Sequence, residues 1–129
     1  MSSVRPPQVH LLSNGSYHLM VSSAGGGYSR WRGLALTRWR EDVTCDNWGA
    51  FCYIRDPADG HVWSTTTQPT LQPADFYEAV FSPGRATFRR LDHGIEVTTD
   101  VAVSSDDDVE LRRIRISNRS SVRLSLIHI

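Results

Sequence analysis

Apolar and polar residues alternate with a period of two along most of the chain. In the clearest run, one parity holds Ile95, Val97, Thr99, Val101 and Val103, while the other holds Glu96, Thr98, Asp100 and Ser104. Because successive side chains of a strand point to opposite faces, this pattern predicts a strand with one buried face. A helical period is found almost nowhere. The sequence therefore predicts an all-β fold built from antiparallel strands.

Turn sequences separate the predicted strands. Ser82-Pro83-Gly84-Arg85 and Asp92-His93-Gly94 connect residues 76–81, 86–91 and the strand from Ile95 into a predicted meander. The next run, residues 109–117, shifts its apolar parity at Arg112-Arg113. Two alternatives explain the shift: a β-bulge, or a strand with both faces partly covered.

Two further hairpins are predicted in the first half. Asn14-Gly15 lies between residues 9–12 and 17–21, and such a pair favours a tight hairpin turn. Residues 56–60, which contain Pro and Gly, lie between residues 49–55 and 61–66. Strand signals at this spacing are typical of a sandwich or barrel.

The last residues, 122–129, form an apolar, β-prone run with Leu and Ile on both faces. Such a strand exposed at the end of a domain invites aggregation. We therefore expect a truncated domain, with no domain boundary inside the chain.

Composition and charge disfavour some classes of partner and some cellular locations. The 129 residues include fourteen Arg, no Lys and an equal number of acidic residues, so the formal net charge is zero. This balance disfavours nucleic acid as a partner, since phosphate contacts require a positive face. No apolar run predicts a membrane span or a signal peptide, which indicates a cytoplasmic location. Cys45 and Cys52 are predicted to be free thiols.

Two segments concentrate the unusual residues. Residues 24–32 contain three consecutive glycines, and residues 36–48 combine aromatic rings, guanidinium groups and carboxylates, as saccharide sites do. The candidate substrate-binding or domain-interface residues are Tyr28, Arg30, Arg38, Trp39, Arg40, Glu41, Asp42 and Trp48. The alternative, favoured on the residues alone, is a pair of structural loops. A phosphate loop is disfavoured because the Walker spacing is absent.

Other chemistry has weaker support. Glu41, Asp42, Asp46 and Asp56 are available for a glycosidase pair, although spacing alone does not bring them together. The triplet at residues 106–108 predicts a solvated turn, because a calcium loop would need a Gly and a distal Glu. The five histidines lack ligand spacing, so we expect no metal and no cofactor.

Ordered blocks across residues 7–121 resemble glycoside hydrolase family 94, formerly glycosyltransferase family 36, and within it the phosphorylase-like region of cyclic β-1,2-glucan synthases. The blocks are Leu11-Leu12-Ser13-Asn14-Gly15, Gly25-Gly26-Gly27-Tyr28-Ser29-Arg30, Thr37-Arg38-Trp39-Arg40-Glu41-Asp42, Trp48-Gly49, Tyr53-Ile54-Arg55-Asp56, Val62-Trp63-Ser64 and Asn118-Arg119-Ser120.

The resemblance implies a galactose mutarotase-like β-supersandwich at the front of a longer enzyme, and residues 1–129 would be the N-terminal part of that β-sandwich. The longer enzyme is expected to be a glycosyltransferase or glycoside phosphorylase, with an anchor in the inner membrane. In that family the catalytic Asp and the phosphate pocket belong to an (α/α)6 barrel, so no residue here inherits a catalytic role. The implied partners are a β-glucan or oligosaccharide and the missing barrel. The resemblance also implies inorganic phosphate as a co-substrate of the longer enzyme. The alternative is a free-standing carbohydrate-binding β-sandwich.

Overall fold

The structure is a computed structural model that describes residues 8–37, 49–68, 70, 74–119 and 127–128. Every regular element in these ranges is a strand. In chain order they are β1 Val9–Ser13, β2 Tyr17–Ser22, β3 Gly27–Trp31, β4 Leu34–Ala35, β5 Tyr53–Arg55, β6 Val62–Ser64, β7 Phe76–Ser82, β8 Arg85–Asp92, β9 Ile95–Val103, β10 Glu110–Asn118 and β11 Ile127–His128. Within these ranges no helix has the length and apolar character needed to cross a bilayer.

The strands form three antiparallel sheets, which confirms the predicted all-β class. The first sheet has the order β1-β2-β3-β4, the second β10-β9-β8-β7 and the third β11-β5-β6. Both predicted hairpins of the first half are present as β1-β2 and β5-β6. The predicted meander is the second sheet, and β9 buries Ile95, Val97, Thr99 and Val101, as its alternation predicts.

Two apolar clusters hold the sheets together, and both use the inner face of the second sheet. The first joins Leu12, Leu19 and neighbours from the first sheet to Phe88 and Val101. The second joins Ile54 and Trp63 of the third sheet to Ile95 and Val97, with Ile114 packed against it. The second sheet therefore forms one layer, and the first and third sheets both pack on it.

The parity shift in β10 does not produce a bulge. The pairing of β10 with β9 is continuous from Glu110 opposite Val103 to Asn118 opposite Ile95. Apolar side chains lie on both faces of β10 and are largely open to solvent, since Leu111 is 56% and Ile116 43% exposed. The bulge alternative is therefore wrong, because the register has no extra residue. Within the described sheet β10 is an edge strand, so its apolar residues need not share a face.

The glycine-rich segment was expected to be a loop, but only its first part is a turn. Gly27 begins β3, which pairs with β2 along its whole length. A side chain at Gly27 would overlap the carbonyl oxygen of Met20, and one at Gly25 would overlap the side chain of Thr66. These glycines therefore permit close approach of the protein's own chain, which supports the structural alternative for the triplet over a phosphate loop.

A buried polar segment follows β6 and joins the layers. Ser64, Thr65, Thr66 and Gln68 are all at most 8% exposed. The backbone N–H of Gln68 donates to the backbone carbonyl of Ala24 at 2.8 Å. The backbone carbonyl of Thr66 accepts a hydrogen bond from Arg90 Nη1 at 2.6 Å. Arg90 also forms a two-pronged ion pair with Asp92, with Nε to Oδ2 at 2.7 Å and Nη2 to Oδ1 at 3.1 Å. The polar groups of this segment and the Arg90–Asp92 pair thus satisfy one another, whereas Trp63 Nε1 and Thr99 Oγ1 are buried without a hydrogen-bond partner among the described residues.

Candidate functional site

The outer face of the first sheet carries a groove of about 320 Å³, here called the β1–β3 groove. Strand register places its side chains together: Ser13 is opposite His18, and His18 is opposite Arg30. Two residues further along β2, Met20 lies between Leu11 and Tyr28 and forms a second row on the same face. The lining residues are Leu11, Leu12, Ser13, His18, Tyr28, Arg30 and Gly33.

A tight turn forms one rim of this groove. Arg32 and Gly33 connect β3 to β4 with φ values of 48° and 83°. Positive φ at both central residues is what a two-residue hairpin turn of this hand requires, and Gly33 meets the requirement without steric cost. Arg30 Nη2 lies 3.4 Å from the Gly33 carbonyl oxygen, so the turn and the guanidinium are in contact.

The polar side of the groove is partly fixed. Ser13 Oγ and His18 Nδ1 are 2.8 Å apart, a hydrogen bond that orients the imidazole and leaves Nε2 as the ring nitrogen for a ligand. The opposite wall supplies the Tyr28 ring and the Arg30 guanidinium. An aromatic ring beside fixed hydrogen-bonding groups can stack on the apolar face of a sugar ring and bond to its hydroxyls.

The sequence predicted Tyr28 and Arg30 as site residues, and the structure brings both to the β1–β3 groove. The remaining six predicted residues lie outside the described ranges. They are Arg38, Trp39, Arg40, Glu41, Asp42 and Trp48. Sequence reasoning missed Leu11, Ser13 and His18. The Asn14-Gly15 pair predicted the hairpin but not its register, because a two-residue turn would set Ser13 opposite Ser16, whereas residues 14–17 separate Ser13 from its partner His18.

The other candidate chemistry has structural explanations where the structure describes it. Asp56 closes the β5–β6 turn, where its Oδ1 accepts from the Ala58 amide at 3.0 Å. Cys52 is a free thiol, as predicted, whereas Cys45 is outside the described ranges. Among the described residues, no three His, Cys, Asp or Glu side chains are grouped so as to hold a metal ion.

The acidic triplet has a role that its composition did not predict. All three Asp side chains are exposed, as expected of a solvated turn, but Asp108 also connects three elements. Its carboxylate accepts hydrogen bonds from Ser16 Oγ, from Trp31 Nε1 at 2.6 Å and from Asn14 Nδ2 at 3.2 Å. The bonds from Ser16 and Trp31 hold the pKa of Asp108 below its usual 3.8, although partial desolvation opposes them. This clasp fixes the end of β3 beside the rim of the groove.

We expect acid to weaken the Asp108 clasp. A carboxyl whose pKa is lower in the folded state stabilises the fold above its unfolded pKa, and that contribution is lost as pH falls through the folded pKa. The melting temperature should therefore fall more steeply below about pH 4 in the parent protein than in Asp108→Asn, which has no titrating group there.

A second carboxyl with a lowered pKa, that of Asp100, gives an independent test of the same effect. Burial raises the pKa of Asp100, but hydrogen bonds from Arg113 and Thr87 and the charges of Arg113 and Arg115 outweigh it and lower that pKa. Asp100→Asn should therefore flatten the same acid limb independently. Parallel melting curves for the parent and Asp108→Asn between about pH 6 and about pH 2 would contradict the assigned clasp.

Comparison with known proteins shows what the whole chain is similar to. A family model described as the glycosyl hydrolase 94 supersandwich domain matches residues 2–128. The cyclic beta-(1,2)-glucan synthase NdvB of Rhizobium meliloti (strain 1021) is 34% identical over 108 residues, which cover 84% of this chain and 4% of that protein. The N,N'-diacetylchitobiose phosphorylases of Vibrio furnissii and Vibrio proteolyticus are 28% and 26% identical over 122 residues, 91% of this chain and 15% of theirs. The chain thus spans a small part of each relative.

Proposed function

Because the chain belongs to the glycosyl hydrolase 94 family through its supersandwich domain, we propose that it is the non-catalytic β-sandwich of a longer carbohydrate-active enzyme. In this proposal the enzyme acts on β-linked glucosides, and its catalytic residues and phosphate pocket lie in a barrel domain outside these residues. The family match over residues 2–128 carries the domain assignment. The names of the relatives, a β-1,2-glucan synthase and two chitobiose phosphorylases, support a β-linked saccharide as the substrate class.

The β1–β3 groove is the part of the domain that we propose contacts the saccharide. Its lining combines an aromatic ring, a guanidinium, an imidazole and a hydroxyl on three paired strands. Strands spaced ~4.8 Å apart give the groove a width of about 10 Å between β1 and β3, which suits a pyranose ring with its substituents. Sites on regular elements hold such geometry better than loops do. The groove therefore supplies stacking and hydrogen bonding, without an acid–base pair for bond cleavage.

Binding measurements test this proposal. Removing the stacking ring with Tyr28→Ala, or the charged donor with Arg30→Gln, should each weaken binding of a β-linked gluco-oligosaccharide about tenfold. A lost charge-assisted bond costs ~1.5–3 kcal/mol, and ~1.4 kcal/mol corresponds to tenfold in affinity. Calorimetric titration with cellotetraose and with a β-1,2-linked glucotetraose measures the dissociation constants and compares the two linkages.

Arg85→Gln is the matched control for this experiment. Arg85 is also an exposed strand Arg, but it lies on β8 in the other layer, away from the groove. Its replacement should leave both affinity and melting temperature unchanged. If Tyr28→Ala and Arg30→Gln bind as well as Arg85→Gln does, the groove is not a saccharide contact. A matching loss of melting temperature in the two groove variants would instead indicate a structural role.

A further inference from the structure

A second depression, of about 260 Å³, lies on the outer face of the second sheet, on the opposite side of the sandwich from the β1–β3 groove. Phe76, Arg89, Leu91 and Glu96 line it, and we call it the β7–β9 patch. Register explains its composition, because Phe76 is opposite Leu91 and Leu91 is opposite Glu96. A straight row across three strands thus presents a ring, an aliphatic side chain and a carboxylate.

The outward direction of these residues follows from the burial of their neighbours. On β8, Ala86, Phe88, Arg90 and Asp92 are buried against the other layer, so Arg89 and Leu91 point away from it. Phe76 is 43% exposed on this face. An aromatic ring left this open beside charged groups has apolar surface available to a ligand.

The polar groups of the patch are already held in place. Arg89 Nε donates to Glu96 Oε1 at 3.0 Å, and Arg119 Nη2 lies 3.1 Å from Glu96 Oε2. The Arg89 guanidinium also lies 5.3 Å from the centre of the Phe76 ring. The Glu96 side chain is only 17% exposed, whereas that of Arg89 is 48% exposed. Groups held by existing contacts lose little conformational freedom when a ligand binds.

These features together specify a ligand chemistry. A sugar hydroxyl both donates and accepts hydrogen bonds, and the patch offers a carboxylate acceptor beside guanidinium donors. The C–H face of a pyranose can stack on the exposed part of Phe76 and on Leu91. A free anion is disfavoured because the carboxylate of Glu96 lies within the depression. A protein partner is disfavoured because only Phe76, Arg89, Leu91 and Glu96 line the depression, whereas a stable protein interface uses about 20–30 residues on each side.

We propose that the β7–β9 patch is a second saccharide-binding site, which takes an uncharged β-linked gluco-oligosaccharide. Its ligand class rests on the proposed function, but its residues are separate from those of the β1–β3 groove. Two sites on opposite outer faces cannot be filled by one short oligosaccharide, because two packed sheets separate them. The domain would therefore bind two short oligosaccharides, or two segments of a long glucan.

Protein NMR titration with cellotetraose, repeated with β-1,2-linked tetraose, tests this proposal. Saturation should shift the amides of Leu91 and Glu96 as well as those of the β1–β3 groove. Phe76→Ala and Glu96→Gln should each weaken binding at the patch about tenfold while leaving groove binding unchanged. Inorganic phosphate should not displace the sugar from the patch.

Val80→Ala is the matched control, since Val80 lies on β7 and the same outer face as Phe76 and is 47% exposed. It should bind like the parent protein. The proposal is wrong if Phe76→Ala and Glu96→Gln bind like Val80→Ala, or if phosphate displaces the sugar.

The two saccharide proposals fail in different ways. If Tyr28→Ala loses all saccharide binding and Phe76→Ala loses none of it, the patch proposal is overturned and the groove proposal is supported. The reverse result would overturn the groove and support the patch. No binding of either tetraose to the parent protein would overturn both. The melting temperature of every variant should be measured alongside, to check that the variant keeps the fold.

Discussion

Replacing Arg90 with alanine should lower the free energy of unfolding by about 3–5 kcal/mol, because it leaves the carboxylate of Asp92 buried without its charge partner. The two side chains are 1% and 3% exposed, so water cannot replace the lost bonds. The same change removes the donor to the Thr66 carbonyl, which lies in the buried segment between the layers. Urea denaturation followed by circular dichroism measures the loss.

The neighbouring residue gives the control. Arg89 is adjacent in sequence and also forms an ion pair, with Glu96, but on the outer face, where its side chain is 48% exposed. Arg89→Ala should cost only ~0–1 kcal/mol, as surface pairs do. The double variant Arg90→Met with Asp92→Leu should recover much of the loss, since it removes both charges from the interior. An Arg90→Ala protein as stable as Arg89→Ala would show that the buried pair contributes little.

Removal of the Trp63 ring should have an effect of similar size. Trp63 is fully buried in the second apolar cluster, so Trp63→Ala leaves a large cavity and should cost ~3–5 kcal/mol. Trp63→Phe should cost clearly less, because the ring still fills much of the site. It also removes the indole Nε1, a buried donor without a hydrogen-bond partner.

Chemical denaturation again provides the measurement, and Val62→Ala provides the comparison. Val62 precedes Trp63 on β6 but is 37% exposed, so its truncation should cost no more than ~0.5 kcal/mol. If Trp63→Ala unfolds at the same urea concentration as Val62→Ala, the third sheet does not contribute to the cooperative core. If Trp63→Phe is as unstable as Trp63→Ala, the volume argument fails.

Strand alternation and turn residues were enough to predict the second sheet. In β9 the apolar positions keep one parity over nine residues, and Ser82-Pro83-Gly84-Arg85 closes the preceding hairpin. The β3 strand was harder to recognise. Its first residue is Gly27, whose type is set by the nearby Met20 carbonyl rather than by strand propensity. Contacts of that kind become visible only once the neighbouring strand is in place.

The sites depended even more on pairing. Tyr28 and Arg30 were recognisable as unusual residues, but His18 joins them only through the register of β2 with β3. Likewise, Arg90 and Asp92 lie on the same inward face of β8 as Phe88. Sequence alone does not show that a charged residue at such a position has a buried partner. Asp108 resembled its exposed neighbours in the triplet, because its partners Asn14, Ser16 and Trp31 are distant in sequence.

The sharing of the second sheet by both clusters has a consequence for the order of folding. Its four strands are successive in the chain and joined by short connections, so their pairing involves little loop-closure entropy and can form early. The buried apolar residues that the structure describes in the first and third sheets pack against this platform. They are expected to dock after it forms, and the backbone amides of β8 and β9 are then the last to exchange with solvent deuterium.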